Sequence, residues 1–218
     1  YCAYAQEFLF DSIETIDMSA SRDAPGLPIR VRIHRRDYDG GMRILILGGY
    51  GLFGGRISRT LARDAGLTLI VAGRDRQRAE RHVATFDAPR AAIETAAIDT
   101  LTEDFAQRLA ALRPEVVIDT AGPFQARDYR VAEAALAAGA HIIDLADGRD
   151  FVRGIHALDE RARAAGRWVI SGASSVPGLT AAVVEAHLDR FSTLESVESA
   201  IAPGNRTPRG WATTLAIL

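Results

Sequence analysis

The sequence predicts an α/β fold: a doubly wound parallel sheet followed by the start of a truncated second α+β domain. Three observations predict it. From Arg43 onward, short apolar runs alternate with segments of helical periodicity. The strongest run, Ile44 to Leu47, shows no polar alternation, as expected of a strand buried on both faces. That run ends in Gly49, Gly51 and Gly54 at G-x-G-x-x-G spacing, directly before a helical pattern.

The first strand leads into a helix with Phe53, Ile57 and Leu61 on one face and Gly66 at its C-cap. Leu67 to Ala72 reads as strand two, and Ala79, Val83 and Phe86 mark the helix after it. Ala91 to Ile98 is strand three. Thr100 and Glu103 form a capping box for a helix carrying Phe105, Leu109 and Leu112. Val116 to Ile118 is strand four, an alanine-rich helix runs from about Ala126 to Ala138 before Gly139, and Ala140 to Leu145 is strand five. Phe151, Ile155, Leu158, Ala162 and Ala165 continue at helical spacing to Gly166, and Trp168 to Ser171 is strand six. Right-handed crossovers then give a Rossmann-type sheet of order 3-2-1-4-5-6, with a ligand expected at the switch point between strands one and four.

Residues 1–41 read as an N-terminal extension, partly disordered. Phe8 to Ile13 has short amphipathic helical character, Ser19 to Pro28 is a polar linker, and Ile29 to Ile33 alternates like an edge strand. The basic patch of Arg30, Arg32, His34, Arg35 and Arg36 reads as a solvated arm in preference to a phosphate or nucleic-acid contact. Residues 42–175 form the nucleotide-binding domain. Residues 176–218 read as a connecting helix, with Pro177 in its first turn and Leu179, Val183 and Leu188 on its apolar face. A strand at Leu194 to Ile201 and a polar loop at Pro203 to Gly210 then open the second domain. The start at Tyr1 and the stop in Ala216-Ile217-Leu218 suggest part of a longer protein.

With 218 residues, 48% hydrophobic, 25% charged and a net charge of -2, the chain has the composition of a globular domain and no charge excess suited to nucleic acid or an acidic membrane. Cys2 is the single cysteine, which excludes an intramolecular disulfide and a cysteine-based metal site. No run approaches the ~20 apolar residues that span a bilayer. A cytoplasmic location without metal, membrane or nucleic acid is therefore expected.

The glycine turn carries the chemistry. Gly49, Tyr50, Gly51, Leu52, Phe53 and Gly54 are candidates to hold a pyrophosphate, with Gly51 clearing the backbone and the helix N-terminus presenting free N–H groups. Strand two ends in Gly73-Arg74-Asp75. An acid at this place accepts from a ribose 2′-hydroxyl, whereas a cation suits a 2′-phosphate, so Arg74, helped by Arg76 or Arg78, favours NADP (NADPH) over NAD. Asp75 is either the ribose acid or the N-cap of the next helix, and the N-cap is preferred. Asp99 reads as an adenine contact or a surface turn residue. Ala121, Gly122, Pro123 and Phe124 end strand four where backbone passes the nicotinamide ribose, with Phe124 as a wall of that pocket. Asp144, Asp147, Ser174 and Ser175 gather at the ends of strands five and six, where carboxylates serve as proton carriers or as turn and cap residues. His141 reads as structural, and no catalytic residue is assigned.

Four blocks carry a family resemblance: Gly48-Gly49-Tyr50-Gly51-Leu52-Phe53-Gly54, Val117-Ile118-Asp119-Thr120-Ala121-Gly122-Pro123-Phe124, Ala138-Gly139-Ala140-His141-Ile142-Ile143-Asp144-Leu145, and Ser171-Gly172-Ala173-Ser174-Ser175-Val176-Pro177-Gly178. From about Met42 onward the chain resembles the NADP-binding domain of saccharopine dehydrogenase-like oxidoreductases. Ala146-Asp147 stands where members often have a Gly-Glu pair. The resemblance implies a reductase or dehydrogenase of a small metabolite, with a second domain closing over the substrate, and it assigns any homodimer to the missing C-terminal domain. A non-catalytic NADP(H)-binding redox sensor and a methyltransferase are the competing readings; Arg74 in place of a ribose-binding acid weighs against the latter.

Overall fold

The computed structural model describes residues 41–200 together with the backbone of a two-residue antiparallel pair, Thr15–Ile16 with Val31–Arg32. Val31–Arg32 falls within the expected Ile29 to Ile33 edge strand, and Thr15–Ile16 supplies a partner that was not expected. The Phe8 to Ile13 helix, the basic patch and the Pro203 to Gly210 loop lie outside the described residues.

Six parallel strands form the main sheet: β1 (Met42–Leu47), β2 (Leu67–Gly73), β3 (Ala92–Ala97), β4 (Val116–Asp119), β5 (His141–Asp144) and β6 (Val169–Ile170). Their order is 3-2-1-4-5-6, as expected from the alternation of strand and helix signals. β1 is central because both its neighbours supply apolar partners, Leu45 lying beside Ile70 of β2 and Val117 of β4. Successive side chains leave opposite faces of a strand. Ile44 and Ile46 therefore join Leu69 and Ile118 in one core, while Leu45 and Leu47 join Ile70, Val117 and Ile142 in the other.

Helices α1 (Gly54–Leu61) and α2 (Arg76–Val83) accompany β1 and β2, and Ala62, Ile57, Leu61 and Phe86 complete the first core. The second core is covered by α3 (Phe105–Ala111), α4 (Arg130–Ala137) and α6 (Asp159–Ala165) through Phe105, Leu109, Val131, Ala135 and Ala162. Between α4 and α6 lie α5 (Arg149–Gly154) and a 3₁₀ turn, Ile155–Leu158. Gly166, at φ +62°, ends α6 as a left-handed C-cap, as expected from its place in the sequence.

Several expected boundaries move, each for a local reason. Helix α1 ends with Ala62 as its C-cap, not Gly66. The Ala62 carbonyl accepts the N–H groups of Arg90 and Ala91, and Gly66 instead receives Met42 N–H on its carbonyl. The Thr100–Glu103 capping box does not form. Asp99 takes Leu101 N–H on its carboxylate and the Thr102 hydroxyl on its carbonyl, so the chain turns there and α3 starts only after Asp104, which caps no N–H with its side chain. Helix α4 starts at Arg130, not near Ala126, because residues 121–129 form a closed loop in which Ala126 has φ +58°.

Past β6, Val176 is extended and Pro177, packed on Gly172, follows it with helical backbone, so Pro177 stands in the first turn of the helical stretch that runs on into α7 (Thr180–Glu185), as expected. No strand forms over the described part of the expected Leu194 to Ile201 segment. Val197 is 49% exposed, and the segment has no ladder partner among the described residues. No helix among the described residues is long and apolar enough to cross a membrane.

Candidate cofactor site

The C-terminal ends of β1 and β4 lie side by side, with Leu47 opposite Asp119. Here the glycine turn leaves β1. Gly49 N–H reaches the Ala72 carbonyl at 2.9 Å, and Gly51 N–H closes the turn on the Gly48 carbonyl at 2.8 Å. A Cβ on Gly54 would stand 2.3 Å from the Gly48 carbonyl oxygen and 2.5 Å from Thr120 Oγ1, so only glycine admits α1 this close to the strand ends. Helix α1 starts without a side-chain cap and without an acid in its first turn. The N–H groups of Leu52 and Phe53 donate to no acceptor among the described residues. Such orphaned donors at a positive dipole end suit an anion.

The turn is supported from below by a residue the sequence reading did not single out. Ser58 is buried, and its hydroxyl donates to the Gly49 carbonyl at 2.9 Å and lies 3.3 Å from His82 Nε2. Its signal was a hydroxyl four residues after Gly54, on the face of α1 that meets the sheet. Phe53 does not share that face: it is the N-cap of α1 and 47% exposed.

Tyr50 crosses from the turn to the end of β2. Its hydroxyl accepts Asp75 N–H at 2.9 Å, and its ring takes the space over Gly73, where a Cβ would fall 2.6 Å from Tyr50 Oη. The space above Gly73 is thus filled by the tyrosine. Arg78 stacks on this ring, its guanidinium carbon 5.2 Å from the centroid. Arg56, Arg59, Arg78 and His82 line a groove of about 440 Å³ with Tyr50, Gly51, Leu52 and Gly55, and no acid lines it. Arg74 is exposed at the strand end, while Arg76 is drawn to Glu80 at 2.9 Å. Asp75 caps α2 by accepting Arg78 N–H at 3.0 Å. Burial first, and then the charge of Arg59, hold the His82 imidazole below its ordinary pKa.

On the other side of the switch point, Asp119 and Asp144 end adjacent strands in register. Each carboxylate accepts the N–H two residues ahead, Ala121 at 2.9 Å and Ala146 at 2.9 Å. Asp144 Oδ1 also takes the Ser171 hydroxyl and Gly172 N–H, which ties β5 to the β6 loop. Burial raises both carboxyl pKa values, for Asp119 against the pull of Arg127 and for Asp144 against its backbone hydrogen bonds. Phe124 does not line an open pocket. It is 4% exposed and packs against Ala146 and Phe151 in a small core of its own.

Asp99 is engaged in its turn, Asp147 accepts from Gln125 Nε2 at 3.1 Å, and the Ser174 hydroxyl donates to the Val176 carbonyl. Asp147, Ser174 and Ser175 therefore do not form one constellation with Asp144. His141 Nδ1 accepts Trp168 N–H at 3.0 Å, in keeping with a structural histidine. Among the described residues no group of three His, Cys, Asp or Glu side chains is placed to hold a metal ion.

The sequence matches the family model of the saccharopine dehydrogenase NADP-binding domain over residues 44–170. No curated protein sequence matches the chain. Among solved structures, a short-chain type dehydrogenase/reductase from Mycobacterium ulcerans aligns with TM-score 0.50 and 17% identity, covering 61% of this chain and 66% of that one, just under two thirds of its length. A Sinorhizobium meliloti 1021 protein assigned to the short-chain alcohol dehydrogenases gives TM-score 0.51 and 17% identity over 61% and 71%. A short-chain dehydrogenase from Sphingobium yanoikuyae in complex with NADPH gives 0.48 and 15% over 68% and 84%. At 17% identity the likeness to the first two is one of fold alone.

Proposed function

This chain belongs to the saccharopine dehydrogenase NADP-binding domain family, and from that premise we propose that it is the cofactor-binding portion of an NADP-dependent oxidoreductase, exchanging hydride with a small metabolite. The observation that carries the reading is the uncapped start of α1 on the glycine turn, with the Leu52 and Phe53 N–H groups unpaired among the described residues. In this reading Gly49, Tyr50, Gly51, Leu52, Phe53 and Gly54 surround the pyrophosphate, and the backbone of Ala121, Gly122, Pro123 and Phe124 follows the nicotinamide ribose. Arg74 and Arg78 flank the 2′-phosphate, Asp75 supports them as a cap, and Asp99 borders the adenine. Bound nicotinamide supplies the hydride chemistry, while the chain supplies orientation and electrostatics. Residues 176–218 open a substrate or dimerisation domain in this reading, and the protein works in the cytoplasm.

A non-catalytic NADP(H) sensor is the second reading. One observation favours it: the buried carboxylates nearest the switch point are committed to backbone N–H groups and to Arg127. A substrate-binding domain attached to this one would discriminate for the enzyme.

Calorimetry tests the shared premise. Gly51→Val should abolish measurable NADPH binding while leaving a cooperative unfolding transition, because a Cβ at Gly51 meets only the Gly48 carbonyl oxygen, at 3.0 Å. Each charge-assisted hydrogen bond contributes about 1.5–3 kcal/mol, so NADPH should bind about tenfold to a hundredfold more tightly than NADH. Arg74→Ala should narrow that ratio. Equal affinity for the two cofactors in the unsubstituted chain would defeat the cation assignment, and unchanged NADPH binding in Gly51→Val would defeat the site.

A further inference from the structure

The loop between β4 and α4 is closed on itself by one arginine. Arg127 lies mostly buried beside Asp119 at the end of β4, with Nη2 3.2 Å from Asp119 Oδ2. Its Nη1 donates back to the Ala121 carbonyl at 3.1 Å, and its guanidinium carbon stands 5.0 Å over the Phe124 ring. Asp119 holds the same residue from the other side, through Ala121 N–H. A single planar fork thus fixes the strand end, the first peptide of the loop and the aromatic anchor of the loop together. From this loop Gln125 reaches Asp147 and the Phe124 backbone packs on Gly148, so the fixed loop also sets the start of α5.

We infer that Asp119 and Arg127 are a positioning pair for the nicotinamide half of the cofactor. They hold the Ala121 to Phe124 backbone in one conformation without touching the cofactor themselves. The inference rests on the proposed course of the cofactor along this loop. A flexible loop binds after being ordered, and the ordering weakens binding; a loop ordered beforehand avoids that loss. Lysine cannot replace this arginine in full, because a single shorter-reaching nitrogen does not reproduce the planar fork that spans Asp119 and the Ala121 carbonyl and lies over Phe124.

The test compares NADPH with 2′-phospho-ADP, which keeps the adenosine half and the diphosphate but lacks the nicotinamide and its ribose. Both are titrated calorimetrically into the 218-residue chain and its variants. Arg127→Ala should weaken NADPH by about tenfold and leave 2′-phospho-ADP within about twofold, since the loss is confined to one half of the site. Arg127→Lys should recover part of the NADPH loss. Asp119→Asn keeps an acceptor for Ala121 N–H while removing the charge that faces Arg127. It should show the same one-sided loss, and it serves if Arg127→Ala unfolds.

Equal losses for both ligands would assign the pair to general stability and overturn the inference, as would unchanged affinity for both. Failure of the unsubstituted chain to bind 2′-phospho-ADP or NADPH would instead overturn the cofactor site itself, which separates the two failures.

Discussion

At Gly54 the packing leaves no room for a methyl group. The atoms a Cβ would meet are the Gly48 carbonyl and Thr120 Oγ1, and the latter already donates to the Leu47 carbonyl at 2.7 Å. Overpacking of a rigid site typically costs about 1–3 kcal/mol, and contact with backbone places Gly54→Ala at the upper end, about 3 kcal/mol in urea unfolding. A loss below about 1 kcal/mol would show that α1 slides away easily and that its close seating is not enforced. Gly54 was legible because a glycine at that place in G-x-G-x-x-G has a steric job that spacing alone reveals. Arg127 was not, since nothing in Gln125-Ala126-Arg127 distinguishes an arginine folded back onto Asp119 from one in solvent. Phe124 reads as the wall of an open pocket and is instead buried, because it packs on Phe151 of α5 and on Ala146 before that helix, neither of which its own stretch of sequence announces.

Among the elements, the contact between α1 and α2 contains a proton-sensitive group. His82 of α2 meets Ser58, stacks edge-on with Phe86 at 5.1 Å, and would lie 3.0 Å from a Cβ on Gly55. Burial and the nearby Arg59 lower its pKa from 6.5 in the folded state. Between the folded and unfolded values the unfolded chain binds more protons, so the neutral imidazole stabilises the fold above pH 6.5 and that contribution is lost as pH falls through the folded pKa. Urea midpoints at about pH 7.5 and about pH 5.5 should fall on acidification, and His82→Gln should reduce the fall. His141, whose pKa is also lowered, contributes a fall that this variant leaves in place, so an unaltered slope in His82→Gln would remove His82 from the account. Element identities were legible from periodicity, but ends were less so. Gly66 and the Thr100–Glu103 pair carry sound local signals, and each lost to a hydrogen bond whose partner, Arg90 and Ala91 for α1 or Asp99 for α3, competes for the same backbone.

Over the whole molecule, strand order followed from alternation alone, because a parallel sheet with short connections admits few topologies. The segment after β6 did not follow, since apolar spacing in Leu179, Val183 and Leu188 announces a buried face and all three side chains are exposed. The sheet brings the glycine turn and the Arg127-closed loop to one edge, so one extended ligand should bridge them. Two linked halves bind as a single molecule at the effective concentration the linkage sets. At equal concentration, NADPH should therefore raise the melting temperature by more than 2′,5′-ADP and reduced nicotinamide mononucleotide do together. At a hundred times its dissociation constant NADPH should add about 2.7 kcal/mol. For a chain of 218 residues that corresponds to a rise of about 5–10 °C. If 2′,5′-ADP alone reproduced the NADPH shift at the same concentration, the loop at the end of β4 would make no contribution, and the ligand would be held by the β1–α1 turn and the cations of α1 and α2 alone.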